Sequence, residues 1–337
     1  MRLGMLFLQA ALPFSLTVSA AHAEESPEIF NGQPRLLIVH GYSTSHHWWA
    51  FLQRKIDRYS GGASKRKIEV QLCNKGGTPI AKWMNVKTGE RSEAWKRMFT
   101  PMIQAEKGKR SVIVLAQQSL QWVFPGPRTA GIRNADDRER IQLGAKAITD
   151  YANLIREDGA ALVIVGMHIY KQGMEPAIGN ERFALMALIK DGPAGIEAGP
   201  DVWEPTAKHH PLAFDTDKIH PNFIGAEIMA HYWFEALLKR EGLEVPVWSR
   251  EEMEDAIANR PLGTRRNNAA FAEKLREWRI TRKQPSANPQ VRDARRESGP
   301  VNPRLHQRIL RRYDQDGDGR LNATERAAFD KARLQRR

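Results

Sequence analysis

Three short runs in this chain are apolar at almost every position: Arg35–His40 (RLLIVH), Ser111–Ala116 (SVIVLA) and Ala160–His168, which contains ALVIVG. Such runs have no polar face to turn to water, so both faces must be covered, the condition of a strand inside a parallel sheet with helices on either side. Lys67–Leu72 (KIEVQL) is a further strand candidate. Between these runs lie helical segments: His47–Tyr59, with Trp48, Phe51, Leu52 and Ile56 at helical spacing, then Ser92–Glu106, Asp136–Glu157, Glu181–Lys190 and Asn222–Lys239. The alternation predicts an α/β domain, a three-layer α/β/α sandwich whose reactive groups gather at the carboxyl ends of its parallel strands. An apolar fraction of 41 % supplies the core. The single cysteine, Cys73, excludes an internal disulfide and sits in an apolar run, where a buried inert thiol is expected.

The two ends of the chain differ from this middle. Arg2, an apolar stretch from Leu3 to about Val18 and the small-residue site Ala21-His22-Ala23 read as a secretory signal peptide. The stretch is short and holds Gln9 and Pro13, which favours cleavage after Ala23 over a membrane anchor. No later segment is long and apolar enough to suggest a membrane span. The expected organisation is a signal peptide over 1–23, the α/β domain over 24–245, a charged helical extension over 246–280, a linker over 281–302 and a C-terminal module over 303–337. The net charge is +13, and more than half of that excess follows Ile280. A secreted or periplasmic location argues against nucleic acid as the partner of this basic tail, leaving a solvated, solubilising segment as its simplest role.

Within the C-terminal module, Asp314, Asp316 and Asp318 stand at loop positions one, three and five of an EF-hand, with Gly319 at position six for the sharp turn. Arg320 offers its backbone carbonyl, Asn322 an amide oxygen and Glu325 a closing pair of carboxylate oxygens. Hard oxygen ligands in this order predict calcium, held by a small helical EF-hand module in a structural role. No second loop occurs in the chain, so a partner for the lone hand is expected, whether another protein or another copy.

Three separated segments carry candidate chemistry. His40-Gly41-Tyr42-Ser43 follows the first strand, putting a serine hydroxyl at a strand's end ahead of a helix. Asn74-Lys75-Gly76-Gly77-Thr78 follows the second, with paired glycines that let backbone N–H groups approach a substrate. Asp217-Lys218-Ile219-His220-Pro221-Asn222 precedes the last helix of the domain, and the spacing lets a carboxylate hold the Nδ1–H of the imidazole while Nε2 acts as a base. Each has a plainer reading as a cap, a loop or a surface histidine.

Taken in order, Gly41-x-Ser43, Gly77-Thr78 and Asp217-x-x-His220-Pro221 resemble the SGNH (GDSL-type) hydrolases over residues 33–241. The resemblance implies a flavodoxin-like fold and ester hydrolysis without a catalytic cofactor, with Ser43 as nucleophile, His220 as general base and Asp217 as its orienter. It also implies an oxyanion hole using Ser43, Gly77 and an amide side chain after the third strand. Gly-Tyr-Ser replaces the family's Gly-Asp-Ser, and Gln118 stands in for the asparagine of its Gly-x-Asn-Asp, with Gln117 beside it. Tyr170, Lys171 and Glu175, beyond the fourth strand, are candidate substrate-binding residues. Short acyl esters, acetyl above all, on a carbohydrate are the expected substrates.

Other readings use the same residues. An α/β-hydrolase would need a Gly-x-Ser-x-Gly elbow, which the chain lacks. The histidines, His40, His46, His47, His168, His209 and His210 among them, do not form a two-histidine-plus-carboxylate pattern on one helix face. A non-catalytic carbohydrate-binding or scaffold protein on a hydrolase-like fold stays open, with Trp48, Trp49, Trp83, Trp95, Trp122 and Trp203 as aromatic surfaces for sugar rings.

Overall fold

The computed structural model describes residues 27–191, 193–215 and 217–258. The signal peptide, the linker and the EF-hand residues Asp314 to Glu325 lie outside these, as does the extension beyond residue 258.

Five parallel strands form one sheet in the order β2-β1-β3-β4-β5. They are β1 (Arg35–Gly41), β2 (Ile68–Asn74), β3 (Ser111–Gln117), β4 (Leu162–Gly166) and β5 (Ile196–Ala198). The helices are α1 (Trp49–Tyr59), α2 (Ile80–Trp83), α3 (Thr100–Gln104), α4 (Arg138–Glu157), α5 (Glu181–Asp191), α6 (Trp203–Lys208), α7 (Phe223–Arg240) and α8 (Val247–Ala258). Alternate strand residues enter opposite layers. Leu36 and Ile38 of β1, with Val112 and Val114 of β3, meet Trp83, Phe99, Ile148 and Tyr151. Leu37, Val39, Ile113 and Leu115 meet Leu52, Trp233 and Phe234 on the other face. This is the expected three-layer α/β/α sandwich. On the second face Trp48 stacks on Trp233, centroids 5.4 Å apart and rings 7° from parallel. Such a pair contributes about 0.5–1.5 kcal/mol beyond its buried area.

Register aligns the strand ends. Gly41 pairs with Asn74 on one side and Gln117 on the other, and Gln117 with Gly166. The chain leaves β1 toward β2, then returns past β1 to β3. The order therefore reverses at the carboxyl end of β1, where open α/β sheets form a crevice.

Some expected elements differ. The helix read over Ser92–Glu106 is a π-helical turn, Trp95–Phe99, running into α3. Pro101 at the start of α3 has no N–H for a continuous α-helical ladder, and the wider turn absorbs the mismatch. β5 and α6 went unread: β5 is short and carries Glu197, which pairs with Arg240 of α7 at 2.6 Å, while Pro205 lies inside α6. The charged α8 is tied to the domain by the buried Lys55, which bridges Glu227 at 2.6 Å and Glu252 at 2.9 Å. Among the described residues, no helix is long and apolar enough to cross a membrane.

Candidate active site

Ser43 owes its position to crowding at the end of β1. A Cβ on Gly41 would lie 2.3 Å from the Gln117 carbonyl oxygen and 2.6 Å from Ser45 Oγ. Only glycine lets the strands run this close before the chain turns. The chain then passes through extended Tyr42 into a 3-10 turn, Ser43–His47. Ser45 Oγ and Trp48 Nε1 both donate to Gln117 Oε1, at 2.8 and 3.1 Å. This bolts the turn to the end of β3.

His220 and Asp217 sit in the loop leading to α7. Asn222 caps that helix, accepting from the N–H groups of Ile224 and Gly225 at 2.9 and 3.3 Å. Its Nδ2 donates to the carbonyls of Leu212 and Phe214, at 2.8 and 3.0 Å, so the cap and the loop are one unit. Asp217 Oδ1 accepts the backbone N–H groups of Ile219 and His220, each at 2.9 Å. His220 Nδ1–H donates to Asp217 Oδ2 at 2.6 Å, and Ser43 Oγ–H donates to His220 Nε2 at 2.9 Å. Burial pushes the Asp217 carboxyl up, but the His220 ring and the two backbone N–H groups together outweigh it, lowering the pKa to about 2. The carboxylate is therefore charged at neutral pH, and the arrangement keeps a lone pair of Nε2 toward the serine hydroxyl.

These groups line an open pocket of about 430 Å³ together with His47, Asn74, Lys75, Gly76 and Met98. Asn74 at the end of β2 donates its Nδ2 to the Tyr42 carbonyl at 3.0 Å, linking the second motif to the serine turn. Gly76 is the glycine at the site: a Cβ there would lie 3.7 Å from Ser43 Cβ. Gly77 is not among the lining residues and serves the turn, with φ +65°. His47, Met98 and Asp215 also line the pocket. The His47 ring lies 5.6 Å from that of His220. Met98 comes from a separate element, whereas His47 closes the 3-10 turn that Ser43 opens and Asp215 stands in the loop of Asp217.

Gln118 departs from expectation. Its side chain is fully buried and its amide donates to Tyr151 Oη at 3.0 Å, inside the layer beneath the sheet. That hydroxyl also bonds His40 Nδ1. Gln117 ends β3 and Gln118 is the first residue beyond it; the first meets Ser45 and Trp48, the second Tyr151 in the other layer, and neither lines the pocket. Tyr170, Lys171 and Glu175 are not gathered at Ser43 either. Tyr170 packs edge-on against Trp203 and His210, each 5.0 Å away, while Glu175 is exposed at the start of a π-helical turn. Lys171, half-buried, is nearer in effect, since its charge is felt by His168. His168 lies edge-on to Tyr42 at 4.6 Å, and its Nε2 is 3.4 Å from Thr44 Oγ1. Burial above all, with the charges of Lys171 and His220, lowers its pKa to about 4. It stands neutral behind the serine turn. Among the described residues, no group of three or more His, Cys, Asp or Glu is arranged to hold a metal ion.

No family model matches the chain, and no curated protein matches it. Among solved structures, the crystal structure of TesA is similar at 16 % identity with a TM-score of 0.38, over 60 % of this chain and 97 % of that one. BT4096, a gut microbial diltiazem-metabolizing enzyme, is similar at 12 % identity with a TM-score of 0.38, over 63 % of this chain and 48 % of that one. Likeness at this level carries no functional information, so function rests on the geometry around Ser43.

Proposed function

We propose that this protein is an exported serine esterase of the SGNH type, removing acetyl or similar short acyl groups, with carbohydrate as the alcohol part. The observation that carries the reading is the continuous line Asp217 Oδ2, His220 Nδ1, His220 Nε2, Ser43 Oγ, with links of 2.6 and 2.9 Å. In this reading His220 Nε2 takes the hydroxyl proton as Ser43 Oγ attacks the acyl carbon. The same proton passes to the departing alkoxide as the ester C–O bond breaks. Water then attacks the acyl carbon, giving a proton to His220, which passes it to Ser43 Oγ as the bond from Oγ to the acyl carbon breaks and the acid leaves. The backbone N–H groups of Ser43 and Gly76 are the candidate donors to the oxyanion, in place of the Ser43–Gly77–Gln118 set. An alkyl fluorophosphonate tests the nucleophile directly: it should label Ser43 in the native protein and not after denaturation. Labelling of another serine, or none, would overturn the reading.

The competing reading is a non-catalytic carbohydrate-binding or scaffold protein. The burial of Gln118 favours it, because loss of one oxyanion donor costs about 2.7–4 kcal/mol of barrier lowering. Sugar binding without turnover would select it.

For the C-terminal loop from Asp314 to Glu325, calcium bound by carboxylate and carbonyl oxygens is the proposal, as an organising ion that takes no part in catalysis. Chelation should then leave hydrolysis of p-nitrophenyl acetate nearly unchanged while lowering the protease resistance of the C-terminal segment. Complete loss of hydrolysis on chelation would refute that division.

A further inference from the structure

Trp122 follows β3 on the same rim of the sheet as Ser43, and its backbone is unusual. Its φ is +61°, the left-handed region that bulky residues rarely occupy. Strain of this kind persists where surrounding structure enforces it, and here it holds an indole outward on the surface. Two cations are seated on the ring: Lys82 Nζ lies 4.3 Å from its centroid and Arg128 Cζ 5.4 Å. Even so, Trp122 as a residue is 37 % exposed, which leaves it accessible beside both charges. Among the described residues Lys82, Arg128 and Lys87 form no ion pair with a carboxylate, and Glu93, which lines the same depression as Lys82 and Lys87, is taken up by Lys96 at 3.3 Å.

Trp122, Lys82 and Lys87 line a broad open depression of about 980 Å³, with Arg91 and Lys96 and the carboxylates Glu90 and Glu93 also in its wall; Arg128 reaches it only through the Trp122 ring. Its far wall is the ordered loop from Met84 to Arg91, closed by the bridge between those two residues. Asn85 Oδ1 stiffens that wall by accepting the N–H groups of Lys87 and Thr88, at 3.0 and 3.4 Å. The π-helical turn Trp95–Phe99 separates this depression from the Ser43 pocket, giving Lys96 to one and Met98 to the other. The two depressions thus lie on either side of one turn.

From these observations we infer that Trp122, Lys82 and Arg128, with Lys87, form a binding site for an acidic polysaccharide. The C–H face of a pyranose packs on the exposed indole, and the acid group of the same or the next sugar is held between the ammonium and the guanidinium, the latter suited to a two-pronged contact with a carboxylate. A neutral chain would use only the indole and leave both cations unanswered. The inference deepens the esterase reading by naming the class of polymer that would be presented to Ser43, but the site itself is a matter of binding and does not need Ser43 to be catalytic.

The test is binding of tetragalacturonate to the full mature chain carrying Ser43→Ala, with neutral xylotetraose and a heparin-derived tetrasaccharide as comparisons, followed by calorimetry. Trp122→Ala should weaken binding of the acidic ligand about tenfold. Lys82→Gln with Arg128→Gln should weaken it to a similar degree and flatten its dependence on salt, and it keeps the indole should Trp122→Ala disturb the fold. Binding of either acidic ligand that needs these residues supports the site, and the preferred one tells carboxylate from sulfate. Equal binding of xylotetraose, or acidic binding that both variants leave intact, overturns it, the second result assigning the ligand to the basic C-terminal tail. Hydrolysis of p-nitrophenyl acetate by Trp122→Ala in the otherwise native protein should be unchanged. Loss of hydrolysis in Ser43→Ala together with retained, Trp122-dependent binding would separate the two readings.

Discussion

Ser43→Ala is expected to lower kcat on p-nitrophenyl acetate by on the order of 10⁶-fold, to little more than the residual rate given by binding and oxyanion contacts. His220→Ala should cost about as much, and the double variant no more than either alone. The reason is that hydroxyl and imidazole act as one unit: Oγ is a poor nucleophile without Nε2 at 2.9 Å to take its proton, and Nε2 has no proton to take without Oγ. Additive losses in the double variant would mean that the two residues serve separate steps. A Ser43→Ala protein that keeps most of its rate while His220→Ala loses it would point to an imidazole that activates water directly. Ser43 stands at the open end of a turn held by Ser45, Trp48 and Gln117, none of which its own hydroxyl supports. Its removal should therefore shift the unfolding midpoint little, and an equilibrium denaturation curve beside the kinetic assay separates lost chemistry from lost fold.

What the sequence made legible follows from how each signal is written. The sheet was readable because burial on both faces demands runs such as LLIV and LVIV, short and rich in β-branched residues, repeated between helical segments. The Asp217–His220 pair was readable because its geometry is local, set within one turn and fixed by the Asn222 cap two residues on. Ser43 was readable for the same reason, as a strand-end residue. Donors supplied across space were not. Gln118 stands where the motif order expects a donor after β3, yet the chain leaving the strand turns its amide to Tyr151, in the layer opposite the partners of Gln117. Gly76 and Gly77 are indistinguishable in composition, and only the path of the turn brings the first against Ser43. Lys171, Tyr170 and Glu175 were grouped because they are neighbours in the chain; the polypeptide there turns Tyr170 toward α6 instead. Met98 reaches the pocket from the π-helical turn Trp95–Phe99, which no local pattern joins to Ser43, whereas His47 closes the turn that Ser43 opens and Asp215 stands in the loop of Asp217.

Asp217→Asn should reduce kcat by on the order of 10⁴-fold with little change in KM. The mechanism is a change of tautomer rather than loss of a contact. In the native protein the two oxygens of Asp217 have separate duties: Oδ1 takes the N–H groups of Ile219 and His220, and Oδ2 takes the Nδ1–H of the ring. Asparagine can keep its oxygen on the backbone pair, but its amide then presents hydrogens to Nδ1. The imidazole answers by carrying its proton on Nε2, where it faces Ser43 Oγ as a donor and cannot accept. Protonation of the native carboxyl would have a related effect, and its sign is clear: the folded-state pKa, about 2, lies below the ordinary value, so whatever this carboxylate contributes is complete above the unfolded value and is lost as pH falls through about 2. Across the usual assay range the native orienter therefore stays charged, and the variant's deficit should persist at every pH there instead of closing on the acid side. With 46 % of the Asp217 side chain exposed, water screens its charge, and the melting temperature should move far less than the rate. A variant with native kcat would shift the orienting role to Asp215, the other carboxylate lining the pocket, whose backbone N–H already holds the carbonyl of His220 at 2.7 Å.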